Sequence, residues 1–417
     1  MVIAAAVVFV VVTVVVALKL HSGDYKDAEV WYQVGRRVLL GQAVIGLRSF
    51  RYPPAFAVMI APLCALPFAA FFLVWYLLNA GLFVLSVRLA AKLVSPAAAW
   101  RDLPRYWAPT GLVCLFAIDN LFLGQTNILV MALVYWAFLE VARNREWRAG
   151  LPLAAAVAVK VFPLPLLAYF AYRWRVRAVI SSLLWCLLLL VVLPAPVRGF
   201  RRNLNELAAW GERVVMPYVS QGKAGDWGQH ALDFGNQSLQ AVLNRYLSRV
   251  NVYVVARDPR RAMYVNVADL SQQQINWVIV AAFAVLAVSF AAACGWRRPR
   301  DTLQAATEYS LAIMLVLLVS ALSWTYFFVM LLLPVMTAMA LLGSRHRLGP
   351  APVWGLRVSL WALGAAIVLE VSAYARALGN MCWTTLILYA ALALACRDLR
   401  RRPARKYSFQ AARDGEG

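Results

Sequence analysis

Acidic residues are scarce in this sequence. Nineteen Asp and Glu stand against 41 Lys and Arg, and charged residues of both signs make up only 14% of the 417 positions. So little charge excludes an ordinary soluble domain, because 63% of the residues are hydrophobic and the mean hydropathy is +0.68. A chain of this length could not hide that much apolar surface from water, so its solvent is a bilayer. Histidine is rarer still: His21, His230 and His346 show no ligand spacing. The six cysteines (Cys64, Cys114, Cys186, Cys294, Cys382 and Cys396) lie within or at the ends of apolar segments. No CxxC or Cys/His spacing appears, so neither a disulfide framework nor a metal site is indicated. Period-two alternation is missing from the apolar runs, which contain Gly, Pro and Trp. That argues for membrane helices over an outer-membrane barrel. There is no Gly-x-Ser-x-Gly motif and no P-loop. The glycine-rich stretch GKAGDWG at 222–228 follows no strand, so it is not a dinucleotide loop.

What is abundant is positive charge, +22 net with a pI near 10.2. In a soluble protein this would suggest nucleic acid. Here Lys and Arg cluster between apolar runs, so topology accounts for them and no nucleic-acid partner is expected. Segment 2–18 lacks a basic leader and a small-x-small cleavage site and reads as a retained first helix. A polar loop (20–52), a short apolar piece (53–66) and a full span (67–91) follow. Further apolar segments fall at 106–119, about 125–142, 150–172, 178–196, about 275–295, 304–322, 326–342, 353–373 and 381–396. No short-period repeat is visible. The expected architecture is all-α and polytopic: one integral-membrane domain over 1–396, with external loops at 20–52 and 197–274. A basic cytoplasmic tail completes it at 397–417.

The short basic connections are 92–105, 143–148, 173–177, 296–301 and 345–347, followed by the tail. All fall on one side, the cytoplasmic one, if two segments do not cross as single spans. The first is 53–66, about 14 residues against the roughly 20 that a crossing needs. The second is 150–172, basic at both ends, which reads as a hairpin of two short helices turning near Lys160. The FRYPPAFAVM stretch at 50–59 then makes sense. Proline is tolerated in the first helical turn, where no intrahelical N–H bond is lost. Tyr-Pro-Pro reads as the abrupt start of a half-helix, or alternatively as the mouth of a tilted span.

With that topology Asp27, Arg51, Gln125, Asn127, Lys160, Asn236, Gln237 and Trp324 all fall on the external side. In the first loop, Val30, Trp31, Val34, Val38 and Leu39 share one face at helical spacing, which suggests a helix lying in the interface with Gly41 as its stop. Asp24 and Asp27 sit at its beginning, where a carboxylate meets the positive helix end, as caps or as catalytic groups. Lys160 has no acidic residue within ten positions. A lysine at mid-membrane depth costs about 2.5–3.5 kcal/mol, so it either snorkels or faces an anionic group such as a lipid phosphate. Arg51 could assist it. Asp119, Asn120 and the Gly124–Asn127 run form a polar turn, and Trp324 reads as an interfacial anchor or a sugar platform.

The order D27-x-x-V-W-Y-x-x-G35, F-R-Y-P-P, G-Q-T-N, K160-V-F-P, G-N-Q-S-L and L-S-W324 resembles the bacterial polyprenyl-phosphate-mannose-dependent mannosyltransferases. These are membrane enzymes of the GT-C class, grouped as glycosyltransferase family 87. The resemblance runs from about residue 20 to 335. It implies a GT-C-type fold of roughly 11–13 membrane helices, short re-entrant ones included, in the cell membrane with an outward-facing active site. It also implies a polyprenyl-phosphate-linked sugar donor and a lipid or glycan acceptor. In the family an acidic residue of the first external loop acts as base. Counting back from Gly35 puts Asp27 in that place, with Asp24 as second candidate. Lys160 and Arg51 would then stabilise charge on the donor phosphate, while Tyr52, Gln125, Asn127, Asn236, Gln237 and Trp324 would line the substrate site. One base and direct displacement imply inversion. No DxD-type motif is evident, so metal independence is expected. One departure is plain: family members often carry an acidic residue and histidines just after the late tryptophan, where this chain has Thr325, Tyr326 and Phe327. A transporter or flippase of lipid-linked sugars, or an inactive envelope scaffold, are the other readings. Transporters hold their polar groups near the midplane and show inverted repeats. The loop acids and the lack of a repeat favour the enzyme.

Overall fold

The computed structural model describes residues 26–45, 47, 50–217, 231–253, 262–344 and 347–401. The expected first span (2–18), Asp24, the glycine-rich stretch 222–228 and the tail beyond 401 lie outside the described residues. The protein is 77% helical, with no strand among the described residues, so the all-α polytopic expectation holds.

The first loop forms α1 (Lys26–Leu39), whose Trp31, Val34 and Val38 are buried. Pro53 and Pro54 then open α2 (Pro54–Ile60). Seven residues rise only about 10 Å, too little to cross a bilayer. A 3-10 turn, Leu63–Ala65, and Pro67 lead into the long helix α3 (Phe68–Val94). Next come α4 (Trp107–Leu123), α5 (Asn127–Ala142), α6 (Glu146–Val159) and α7 (Leu166–Tyr172). The apolar stretch 150–172 therefore does break into two helices, and the turn between them begins at Lys160. Helix α8 (Val176–Arg198) relaxes through a π turn at Leu188–Val192.

The second loop contributes α9 (Phe200–Trp210) and α10 (Leu239–Leu247). The remaining helices are α11 (Gln272–Cys294), α12 (Thr302–Val319), α13 (Leu332–Gly343, entered by a 3-10 turn, Thr325–Leu331), α14 (Pro350–Leu369), α15 (Ala373–Ala377) and α16 (Asn380–Arg401). Seven of these segments are long and apolar enough to cross a membrane. Polar caps mark where several begin. Ser271 accepts from the N–H of Gln274 at α11, and Asp301 accepts from that of Gln304 at α12 (2.9 Å).

Burial separates the centre from the rim. Within the apolar stretch of α12, 89% of residues are buried inside the protein, against 28% in each of α3, α8, α11 and α14. The α12 helix is the hub, and those four expose apolar faces such as Leu73, Leu183, Val285 and Trp361. Near the hub's first turns, Glu308 is fully buried and paired with Arg173 at 2.8 Å. Arg173 also donates to the carbonyls of Cys294, Gly295 and Arg297. Removing one partner of such a pair strands a buried charge, at about 3–5 kcal/mol.

Following the chain up and down, the connections rich in Arg meet at one end of the bundle. There Arg175 reaches Asn144 and Glu146, Arg298 reaches the Trp174 carbonyl, and Arg347 pairs with Asp301. The turns at 124–126 and 160–165, α1 and the second loop lie at the other end. That second loop is bolted to the first: Arg198 pairs with Glu206 and donates to Gln42 O, Arg202 donates to Gly41 O, and Arg213 donates to Ile45 O.

Candidate active site

Glycine positions the site. Gly124 ends α4 in the left-handed region (φ 69°), and a side chain there would also collide with the Ala28 methyl carbon at 2.7 Å. Its carbonyl accepts indole N–H bonds from both Trp31 and Trp75, each 2.9 Å, so α1, α3 and the α4–α5 turn are pinned at one atom. Gly35 lets α1 approach the 63–65 turn, since a Cβ there would collide with Cys64 Sγ.

The pinned turn delivers a chain of polar contacts. The Gln125 amide donates to Asp27 Oδ2, at the start of α1. The Tyr52 hydroxyl donates to Gln125 Oε1 (3.4 Å), and Thr126 Oγ1 donates to the Tyr52 hydroxyl (3.2 Å). Lys160 Nζ donates to Asn127 Oδ1 at 2.7 Å, and Asn127 Nδ2 donates to Asn120 Oδ1 at 2.9 Å. Asn120 in turn donates to the Tyr326 carbonyl at 2.6 Å. The Lys160 ammonium also lies 3.6 Å over the Phe327 ring, with Tyr52 and Tyr326 at 5.4 and 5.9 Å. Aromatic faces attract a cation most strongly where water is excluded.

Thus Asp27, Gln125, Asn127 and Lys160, expected at one face, do meet, and Tyr52, expected from the resemblance, joins them. Burial pulls the Lys160 pKa well below the ordinary lysine value, and the Asp27 carboxylate works in the opposite direction. Burial likewise pushes the Tyr52 phenol up; its bond to Thr126 opposes this and the Asp27 charge adds to it. Asp27 and Lys160, an acid and a base, lie close enough to feel each other where burial has removed much of the water. Arg51 precedes Tyr52 in the same extended segment, which Trp210 anchors by donating to the Arg51 carbonyl (2.9 Å).

Asn236, Gln237 and Trp324 form a second group at the same end. Both amides are completely buried. Asn236 donates to Ala231 O and Ala321 O and accepts from the Ser323 N–H. Gln237 donates to Phe234 O and Arg376 O and accepts from the Met381 N–H. Asn236 and Trp324 pair as an isolated antiparallel bridge. The amides thereby fix the loop that carries Trp324. Gly235 exists for the same contact, because a Cβ there would stand 2.7 Å from the Trp324 ring.

Several participants were not singled out from sequence. Asn120 and Thr126 were seen only as turn chemistry, while Tyr326 and Phe327 stood out only as a departure from the family's pattern. Glu370 is another: it accepts from Thr325 Oγ1 (3.0 Å) and Asn380 Nδ2 (2.8 Å), and burial raises its pKa. It brings a carboxylate to Thr325, the residue after Trp324, from a distant part of the chain. Among the described residues, Cys294, Glu308 and Cys396 lie close enough to share a metal ion. Glu308 there already binds Arg173, away from the Asp27–Lys160 cluster.

The chain is a polytopic helical membrane protein in which an acid and a buried cation converge at one end of the bundle. The family model for glycosyltransferase family 87 matches residues 50–321, more than half of the chain, and the protein belongs to that family. It is a membrane glycosyltransferase. Comparison with curated proteins and with solved structures returns no match.

Proposed function

We propose that the protein transfers a sugar, a hexose such as mannose, from a polyprenyl monophosphate carrier to a lipid or glycan acceptor of the cell envelope. The observation that carries this reading is the single relay linking Asp27, Gln125, Tyr52 and Thr126 beside Asn127 and Lys160. In the proposed reaction the Asp27 carboxylate takes the proton of the acceptor hydroxyl as that oxygen attacks the anomeric carbon. The bond from this carbon to the phosphate oxygen breaks, and the electron pair leaves with the polyprenyl phosphate. Gln125, donating to Asp27, orients the base and favours its charged form. Lys160, helped by Arg51, offsets the charge that grows on the departing phosphate. A single carboxylate with no covalent intermediate gives inversion.

Tyr52, Gln125 and Asn127 line the donor side, while Trp324, held by Asn236 and Gln237, offers a flat face to a sugar. Asp24 remains the second acidic candidate. No metal enters this scheme, because the leaving group is already a phosphate and the cations are side chains. The site faces the external side of the cell membrane, with the Arg-rich end in the cytoplasm, in keeping with the positive-inside rule.

The test is transfer of radiolabelled hexose by purified protein in lipid, offered either as polyprenyl monophosphate sugar or as nucleotide sugar. Transfer from the lipid-linked donor alone is expected. Transfer from the nucleotide sugar, or from neither, overturns the proposal.

A further inference from the structure

The end of the bundle remote from Asp27 carries a groove of about 730 Å³ between the α5–α6 and α7–α8 turns. Helix α5 runs from Asn127, in the site, to Ala142, at the groove, so about 22 Å separates the two along its axis. The turns are built alike. In the first, Arg145 N–H bonds Glu140 O (2.8 Å) and Asn144 N–H bonds Val141 O (3.0 Å); in the second, Arg175 N–H bonds Phe170 O (2.9 Å) and Trp174 N–H bonds Ala171 O (2.9 Å). Each places its middle residue in the left-handed region, Asn144 at φ 57° and Trp174 at φ 54°. Asparagine tolerates that conformation, whereas a tryptophan there is an outlier. The outcome is a large ring held out from the protein, 73% exposed, opposite Trp147 at 53%.

The charge balance of the groove is lopsided. Its one acid, Glu146, is taken by Arg175 at 2.9 Å. Arg298 is spent on the Arg173 and Trp174 carbonyls. Arg145, Arg148 and Arg177 line the groove, are exposed, and have no acidic partner among the described residues. Helices α6 and α8 both begin here without a side-chain cap, adding partial positive charge of their own.

Leading away from Arg177 along α8 is an apolar stripe, Ile180, Leu183, Leu184 and Leu187, each 44–56% exposed. That spacing keeps all four on one helical face. Cationic groove, aromatic rim and apolar track follow in the order of a phospholipid's own parts: phosphate, glycerol level and acyl chain. A soluble anion would use the arginines and leave the track unexplained.

We propose that this groove binds the headgroup of an anionic phospholipid in the leaflet opposite the Asp27–Lys160 site, with one acyl chain lying along α8. Arg145, Arg148 and Arg177 hold the phosphate, and Trp147 and Trp174 set its depth.

Native mass spectrometry of the full protein released from bilayers of equal phosphatidylglycerol and phosphatidylcholine, matched in acyl chain, tests this. Wild type is expected to retain phosphatidylglycerol at least tenfold over phosphatidylcholine. Arg145→Gln/Arg148→Gln/Arg177→Gln should lose that preference, whereas Arg101→Gln/Arg105→Gln/Arg357→Gln, which removes as much charge elsewhere, should keep it. No preference in wild type overturns the proposal without recourse to any variant. So does equal loss in both triple variants, which would reduce the effect to overall charge.

Discussion

Replacing Asn127 by Leu removes, among the described residues, the one side-chain oxygen that accepts a hydrogen bond from Lys160 and the one amide that satisfies Asn120 Oδ1. Asn127 is completely buried, so water does not substitute for it. A hydrogen bond to a charged group is worth about 1.5–3 kcal/mol and a neutral one about 1 kcal/mol. The second loss falls on folding, the first on the placement of the ammonium. If Lys160 acts on the donor phosphate, losing its anchor should cost about 1.5–3 kcal/mol in the transition state, or roughly 10- to 150-fold in kcat/KM. Steady-state transfer from synthetic polyprenyl monophosphate sugar measures this, and thermal unfolding separates the folding part. Without its oxygen partner the ammonium is harder to keep charged, so the alkaline fall of activity should also move to lower pH. Asn127→Asp keeps an acceptor for Lys160 and should retain most of the activity. A folded Asn127→Leu protein with wild-type kcat/KM and an unmoved alkaline limb would refute the reasoning.

Burial already lowers the Lys160 pKa, so the charged form is lost as pH rises through a value below that of ordinary lysine. Activity should therefore fall on that limb, and Lys160→Arg, which stays protonated, should carry activity to higher pH; an identical profile in both proteins contradicts the assignment. Phe327→Leu removes the ring 3.6 Å beneath the ammonium and should raise KM for the donor several-fold, in line with up to about 2 kcal/mol for a desolvated cation–π contact; an unchanged KM counts against it. Gly235→Ala drives a methyl group into the Trp324 ring and should lower the unfolding temperature by the equivalent of about 1–3 kcal/mol, while Gly364→Ala, which meets nothing within 4 Å, should not.

The membrane architecture was legible because hydropathy and Arg placement are read along the chain without knowledge of packing. The short helix after Tyr-Pro-Pro followed from length and proline chemistry, and the break at Lys160 from the basic clusters at both ends of its segment; they appear as α2 and the α6–α7 turn. Much of the acid–cation cluster was legible too, once topology put Asp27, Gln125, Asn127 and Lys160 at one end. What sequence did not carry was which polar groups join the cluster and which close on backbone. Asn236 and Gln237 look like Gln125 and Asn127 in the sequence, yet their amides close on carbonyls 85 and 139 residues away. The contacts of Phe327 and Glu370 were invisible for a related reason. An apolar residue in an apolar run, and a lone acid beyond a span, acquire meaning only from a partner brought by the fold.

The central claim is that Asp27 is the base, and Asp27→Asn tests it most directly, because the amide keeps the shape and the contact region of the carboxylate while losing its basicity. Single-turnover transfer from the lipid-linked donor should slow by about 10²–10⁴-fold, with donor binding nearly unchanged. A folded Asp27→Asn protein that transfers sugar at the wild-type rate would contradict the account.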